Sequence, residues 1–95
     1  MTDRRARIRW LTEEEGGRRG GPPPGPQYST VSRFEALRER WPEEAWSVIL
    51  HIEDSDATEV RIRPLLAEAP QELFYSGSRF DLFEGARKVA EGEVL

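Results

Sequence analysis

Ninety-five residues, 37% hydrophobic and 34% charged, fit one domain that must use its core economically. With no cysteine the chain has no disulfide, no thiolate metal site and no thiol chemistry. A net charge of −4 argues against a general nucleic-acid binder.

The chain begins MTDRRARIRW, charged where a secretory leader needs an apolar run, and no apolar stretch approaches membrane-spanning length. The expectation is a cytoplasmic protein with no membrane contact. From Arg5 to Leu11 the residues alternate, with Ala6, Ile8 and Trp10 on one face and Arg5, Arg7 and Arg9 on the other. That is a strand with one buried and one wet face. Thr12 and Glu13-Glu14-Glu15 lead out of it. Residues 16–26, GGRRGGPPPGP, have no periodicity, and prolines cannot donate to a central ladder, so this stretch reads as a Gly/Pro-rich loop. Peptide docking by Pro22-Pro23-Pro24 is the less favoured reading of the same residues.

Gln27 to Arg33, rich in Tyr, Thr and Val, predicts a second strand. Ser32 and Glu35 have capping-box spacing, and Phe34, Leu37 and Trp41 follow at i, i+3, i+7. A short helix within 33–41 is expected, stopped by Pro42. Trp46 to Ile52 alternates most strongly, with Trp46, Val48, Leu50 and Ile52 on one face. Asp54-Ser55-Asp56 predicts a turn, and Glu59 to Leu65 a fourth strand with Val60 and Ile62 inward. Ala67 to Ser78 reads as a connection whose Leu73, Phe74 and Tyr75 lie over a barrel end. The chain closes on a hairpin: Phe80 and Leu82 alternate, Glu84-Gly85 turns, and a last strand passes through Val89 and Val94. Those valines are out of phase for a period of 2, and Gly92 is the expected site of a bulge that restores it. The predicted fold is all-β: one small closed or nearly closed six-stranded antiparallel barrel over 1–95, with at most one short helix near 33–41.

Charge is uneven along the chain. Residues 1–33 hold seven arginines against four acids, and residues 34–95 seven bases against fourteen acids. This is read as arginines on a solvated strand face. Catalytic signatures are missing: there is no G-x-x-x-x-G-K-[ST] phosphate loop, Lys88 is the sole lysine, and no serine sits in G-x-S-x-G. His51, the sole histidine, reads as a surface or rim residue, and no spacing supports a metal site. A non-enzyme without metal, nucleotide or other cofactor is expected.

Four pieces, in order, resemble the third, C-terminal β-barrel domain of elongation factor Tu. They are LTEEEGGR (11–18), Pro26-Gln27-Tyr28, Arg63-Pro64-Leu65-Leu66 and RFDLFEGARKVAEGEV (79–94). The resemblance covers roughly residues 4–33 and 58–95. The departures are GGPPPGP in place of an aromatic-rich loop, Gly85-Ala86 in place of paired glycines, and a different stretch over 34–57. The chain carries neither the family's GTPase domain nor its second barrel.

The resemblance implies a stand-alone form of that domain in a small bacterial protein, active in translation and contacting the backbone of tRNA or other structured RNA. Matched motif to motif, the RNA-binding positions are Arg18, Gln27, Arg63, Glu84 and Gly85. Arg18 and Arg63 are then expected on one side of the barrel, close to the Glu84-Gly85 turn. The alternative is a protein–protein interaction module using the barrel surface, with Trp41 or Trp46 as anchors.

Overall fold

The alternating segments become six strands, each paired antiparallel to two neighbours. They are β1 (Arg4–Trp10), β2 (Gln27–Phe34), β3 (Trp46–His51), β4 (Glu59–Pro64), β5 (Arg79–Glu84) and β6 (Arg87–Val94). This is a computed structural model, and it describes residues 3–53 and 58–95. The expected turn at Asp54-Ser55-Asp56 lies outside the described residues. The strands close in the order β1-β4-β3-β2-β5-β6, with β6 pairing back onto β1. The six-stranded antiparallel barrel expected from the alternation is the observed fold, and closure removes the open edges that a short sheet would otherwise expose.

Among the described residues no α-helix occurs. A 3₁₀ helix at Glu35–Arg40 lies inside the expected window, and a single 3₁₀ turn at Gln71–Phe74 sits in the connection between β4 and β5. That turn buries Leu73 and Phe74 against the core, while Tyr75, expected beside them, is 54% exposed.

Inward positions of all six strands meet in one apolar core. Ile8, Val48, Leu50, Val60, Ile62, Phe80, Leu82 and Val89 are buried in it, as their phase predicts. Trp10 is half-buried, packed at the core's margin edge-on to Tyr28. Capping occurs at a different place from the one expected. Ser32 points inward and donates its hydroxyl hydrogen to the Trp46 carbonyl, so it does not cap the 3₁₀ helix after Phe34. The same spacing at Thr12 and Glu15 does close reciprocally: the Thr12 N–H donates to Glu15 Oε1 at 2.9 Å, and the Glu15 N–H to Thr12 Oγ1 at 3.2 Å.

The bulge also falls elsewhere. Leu82 pairs with Ala90 but Phe83 pairs with Lys88, so Val89 is the extra residue. This is how Val89 and Ala90, adjacent in sequence, are both fully buried. Gly92 keeps the ladder in register, opposite Phe80 on one side and Ile8 on the other. Its role is steric. A Cβ at Gly92 would lie 2.3 Å from Phe80 Cζ and 2.9 Å from Ile8 Cδ1. The Phe80 ring therefore lies against bare β6 backbone, and it continues through Phe34 at 5.3 Å to Phe74, itself 5.1 Å from Phe34.

Gly92→Ala is accordingly expected to destabilise the fold by about 1–3 kcal/mol, because the methyl group overpacks a filled site. Chemical denaturation of the purified variant measures this. Unchanged stability would mean that the ring does not occupy the space above Gly92.

Candidate functional site

Inward side chains fill the barrel, so functional groups must come from its ends and outer wall. At one end the loop after β1 folds back across the opening. Gly17 is buried against Leu11, with no room for a Cβ, and the Gly17 N–H donates to the Thr12 carbonyl at 2.8 Å. This close approach delivers Arg18 to the β5–β6 turn. Its Nε donates to Glu84 Oε2 at 2.7 Å and its Nη1 to the Gly21 carbonyl at 2.7 Å, while the guanidinium carbon stands 5.6 Å from the Tyr28 ring centre. The Tyr28 hydroxyl donates to the same Glu84 oxygen. Burial, reinforced by that carboxylate, pushes the Tyr28 phenol up to about 12. The hydrogen bond from Tyr28 and then the Arg18 guanidinium hold Glu84 below the usual carboxylate range. Pro23 is buried as the same loop returns, so the proline run is partly packed onto the body.

The residues matched to RNA contacts are thus divided. Arg18, Glu84 and Gly85 share this end, and Gln27 is exposed where β2 starts beside it. Arg63 stands apart. β4 runs antiparallel to β1, so the end of β4 lies by the start of β1, and Arg63 Nε is 3.8 Å from Asp3 Oδ1. The expected juxtaposition of Arg63 with Arg18 and the Glu84-Gly85 turn does not occur. Its physical reason is the strand order, which sends the ends of β1 and β4 to opposite ends of the barrel.

Sequence reasoning missed one concavity: a groove of about 950 Å³ on the outer wall of β1, β6 and β5, flanked by the 3₁₀ helix at Glu35–Arg40. Two cross-strand rows of charge form its floor. One runs Arg9, Glu91, Asp81, Arg33 through directly paired positions. It is internally satisfied: Arg9 Nη2 meets Glu91 at 2.8 Å, Arg33 meets Asp81 at 2.6 Å, and Lys88 Nζ spans Asp81 at 3.2 Å and Glu91 at 2.8 Å. Lys88 and then Arg9 depress the Glu91 carboxyl, and Glu91 and then Asp81 raise the Lys88 ammonium. The second row runs Arg7, Glu93, Arg79. Here Glu93 stands between two arginines, and Glu59, across from Arg7 on β4, is ion-paired with Arg5 instead. Among the described residues no carboxylate oxygen lies within 4.0 Å of Arg7, Arg79 or Arg38, the last on the facing 3₁₀ helix. Alternation of period 2 placed these side chains outward; which of them meet depended on strand order, which no local pattern encodes.

Beyond Arg33 the wall turns apolar. The Arg33 guanidinium lies over both Phe83, at 5.0 Å, and Trp41, at 5.7 Å, and these rings pack 4.9 Å apart. Trp41 was expected on one helical face with Phe34 and Leu37. The segment instead turns as a 3₁₀ helix, so Phe34 enters the core and Trp41 crosses to the outer wall. A third row continues outward from Phe83 to Val31 and Ser47, in register, and on to Leu65, whose N–H donates to the Ser47 carbonyl at 2.9 Å. Val31 is 37% exposed and Leu65 46%. Trp46, the other expected anchor, packs against the core instead.

Among the described residues no group of three or more His, Asp or Glu side chains is placed to hold a metal ion, and no helix is long and apolar enough to cross a membrane. No protein-family model matches the chain, and none of the curated proteins matches it either.

The depressed carboxyls predict an acid-sensitive end loop. A carboxyl whose folded pKa is lowered adds stability that is full above its unfolded pKa and is lost as pH falls through the folded value. Glu84 and Glu15 follow this sign, Glu15 through the Thr12 N–H and then Arg9. Thermal melts should hold level down to about pH 5 and fall below about pH 4. Glu84→Gln should lower stability at neutral pH by no more than about 1 kcal/mol, since the pair is partly solvent-screened, and should flatten the acid dependence. Equal pH profiles for the parent and the variant would contradict this.

Proposed function

We propose that the chain is a non-catalytic binding module whose partner is a protein, docked on the outer wall over β2, β3 and the segment that follows β4. One observation supports this above the others: Val31 and Leu65 are outward and apolar, and stand in one row with Phe83 and Trp41. Outward strand positions elsewhere on the barrel are mostly charged. An apolar row rimmed by arginine is the composition of an interface centre, in which aromatics and arginine are enriched. Leu66, 49% exposed, extends the apolar surface at the same corner.

The resemblance to the third barrel of elongation factor Tu supports the same class, because that barrel works through surface contacts rather than chemistry. The tRNA-backbone contact which that resemblance also implies draws less support from placement. Arg18 already donates to Glu84 and Gly21, and Arg63 sits at the other end of the barrel beside Asp3.

Photo-crosslinking from position 65 in the native cell tests the reading. A single protease-sensitive, ribonuclease-resistant adduct is expected, persisting at high salt and abolished by Val31→Glu. An adduct made of RNA, or one that survives Val31→Glu unchanged, would defeat it.

A further inference from the structure

We infer that the groove flanked by the 3₁₀ helix Glu35–Arg40 is a docking channel for an acidic segment of the protein partner, with carboxylates received by Arg7, Arg38 and Arg79. This inference rests on the protein-docking reading and names the chemistry that the partner must bring.

The charge rows define where an anion can be held. The row through Arg9, Glu91, Asp81 and Arg33 has its cations matched to carboxylates at 2.6–3.2 Å, with Lys88 bridging two of the acids. Its cations are already engaged by carboxylates of the same wall. The neighbouring row is less well matched: Glu93 stands between Arg7 and Arg79 without closing on either, and Glu59, opposite Arg7 on β4, is taken by Arg5. Arg38 adds a third exposed guanidinium from the opposite wall of the same groove. Each guanidinium presents five N–H donors in a planar fork that fits a carboxylate edge-on.

The acids within the groove decide what kind of anion fits. Glu35, Glu39 and Glu93 are interleaved with these arginines. A nucleic-acid backbone brings one phosphate per nucleotide and cannot skip the acidic positions without leaving phosphate against carboxylate. A peptide can place glutamate or aspartate only where an arginine stands and leave uncharged residues elsewhere. Interleaved charge therefore favours an acidic peptide over RNA and rejects partners of the wrong spacing.

The groove and the apolar row are continuous. Arg33 pairs with Asp81 in the groove and covers Phe83 and Trp41 at the start of the row. Along β5, Arg79 and Phe83 are four residues apart, roughly 13 Å at strand rise, so a partner segment of about four extended residues joins the two. The segment sought has apolar side chains for Val31 and Leu65, a short spacer, and spaced acids.

A probe follows from that description: an acetylated peptide of two leucines, a Ser-Gly-Ser spacer and three glutamates separated by single serines, titrated into isotopically labelled protein. Its glutamine counterpart and a short single-stranded RNA serve as the other arms. The glutamate peptide should shift the Arg7, Arg38 and Arg79 side-chain Nε–H signals together with the Val31 and Leu65 methyls. The glutamine peptide and the Arg38→Ala/Arg79→Ala variant should each bind about tenfold more weakly, corresponding to about 1.4 kcal/mol. Both arginines are exposed, and unchanged amide dispersion will show that the variant is folded. The inference fails if the glutamine peptide binds as well, if the arginine signals do not move, or if RNA competes the peptide out at equal concentration. A silent groove with the position-65 crosslink intact would strike this inference alone. Groove binding without that crosslink would strike the docking reading.

Discussion

The packing of the Phe80 ring against Gly92 is the contact on which the rest of the barrel depends. With an ideal Cβ at Gly92 only 2.3 Å from Phe80 Cζ, no residue larger than glycine fits there without movement. This close approach fixes β5 and β6 in one register, and the Val89 bulge then lets Val89, Ala90 and Val94 all face inward. The same register sets Glu91 between Arg9 and Asp81, and Glu93 between Arg7 and Arg79. A one-residue slip would exchange the inward and outward sets and abolish both charge rows. Core packing and surface chemistry thus share one cause.

The aromatic row carries that constraint further. Phe80 supports Phe34, and Phe34 supports Phe74 from the connection between β4 and β5. Phe34 is the residue from which the 3₁₀ helix at Glu35–Arg40 springs, so the groove wall is anchored from inside the barrel. Trp41, at the far end of that helix, is held outside by Phe83 and Arg33. The wall bearing Arg38 is therefore tied down at both ends, one within the core and one on the outer surface.

Much of the fold was legible because period-2 alternation is clean in β1 and β4 and still readable in β3 and β5, where Ile49 and Phe83 are buried out of phase. The errors have specific physical origins. Capping-box spacing occurs twice, and spacing alone does not say which copy is free to close: Ser32 is committed to the Trp46 carbonyl, whereas Thr12 follows the end of β1 and its N–H is taken by Glu15. A glycine in a strand signals either a bulge or a close approach, and at Gly92 the facing phenylalanine decided for the second. The i, i+3, i+7 spacing of Phe34, Leu37 and Trp41 suggested one helical face, but a 3₁₀ helix of six residues distributes those side chains between core and wall. Sites were less legible than the fold. Arg18 and Glu84 meet as their motifs suggest, yet Arg63 is carried away by strand order, and the groove joins residues from positions 7 to 93 that share no local pattern.

Because register links the core to the charged wall, the most direct test is a nuclear Overhauser map of the unmodified protein. The account predicts contacts from the Gly92 α-protons to the Phe80 ring and to the Ile8 δ-methyl, with Val89 as the unpaired residue opposite Leu82 and Phe83. Gly92 α-protons remote from any aromatic ring, or a bulge at Gly92 with Val89 paired in the ladder, would contradict it, and the charge rows on the outer wall would have to be redrawn.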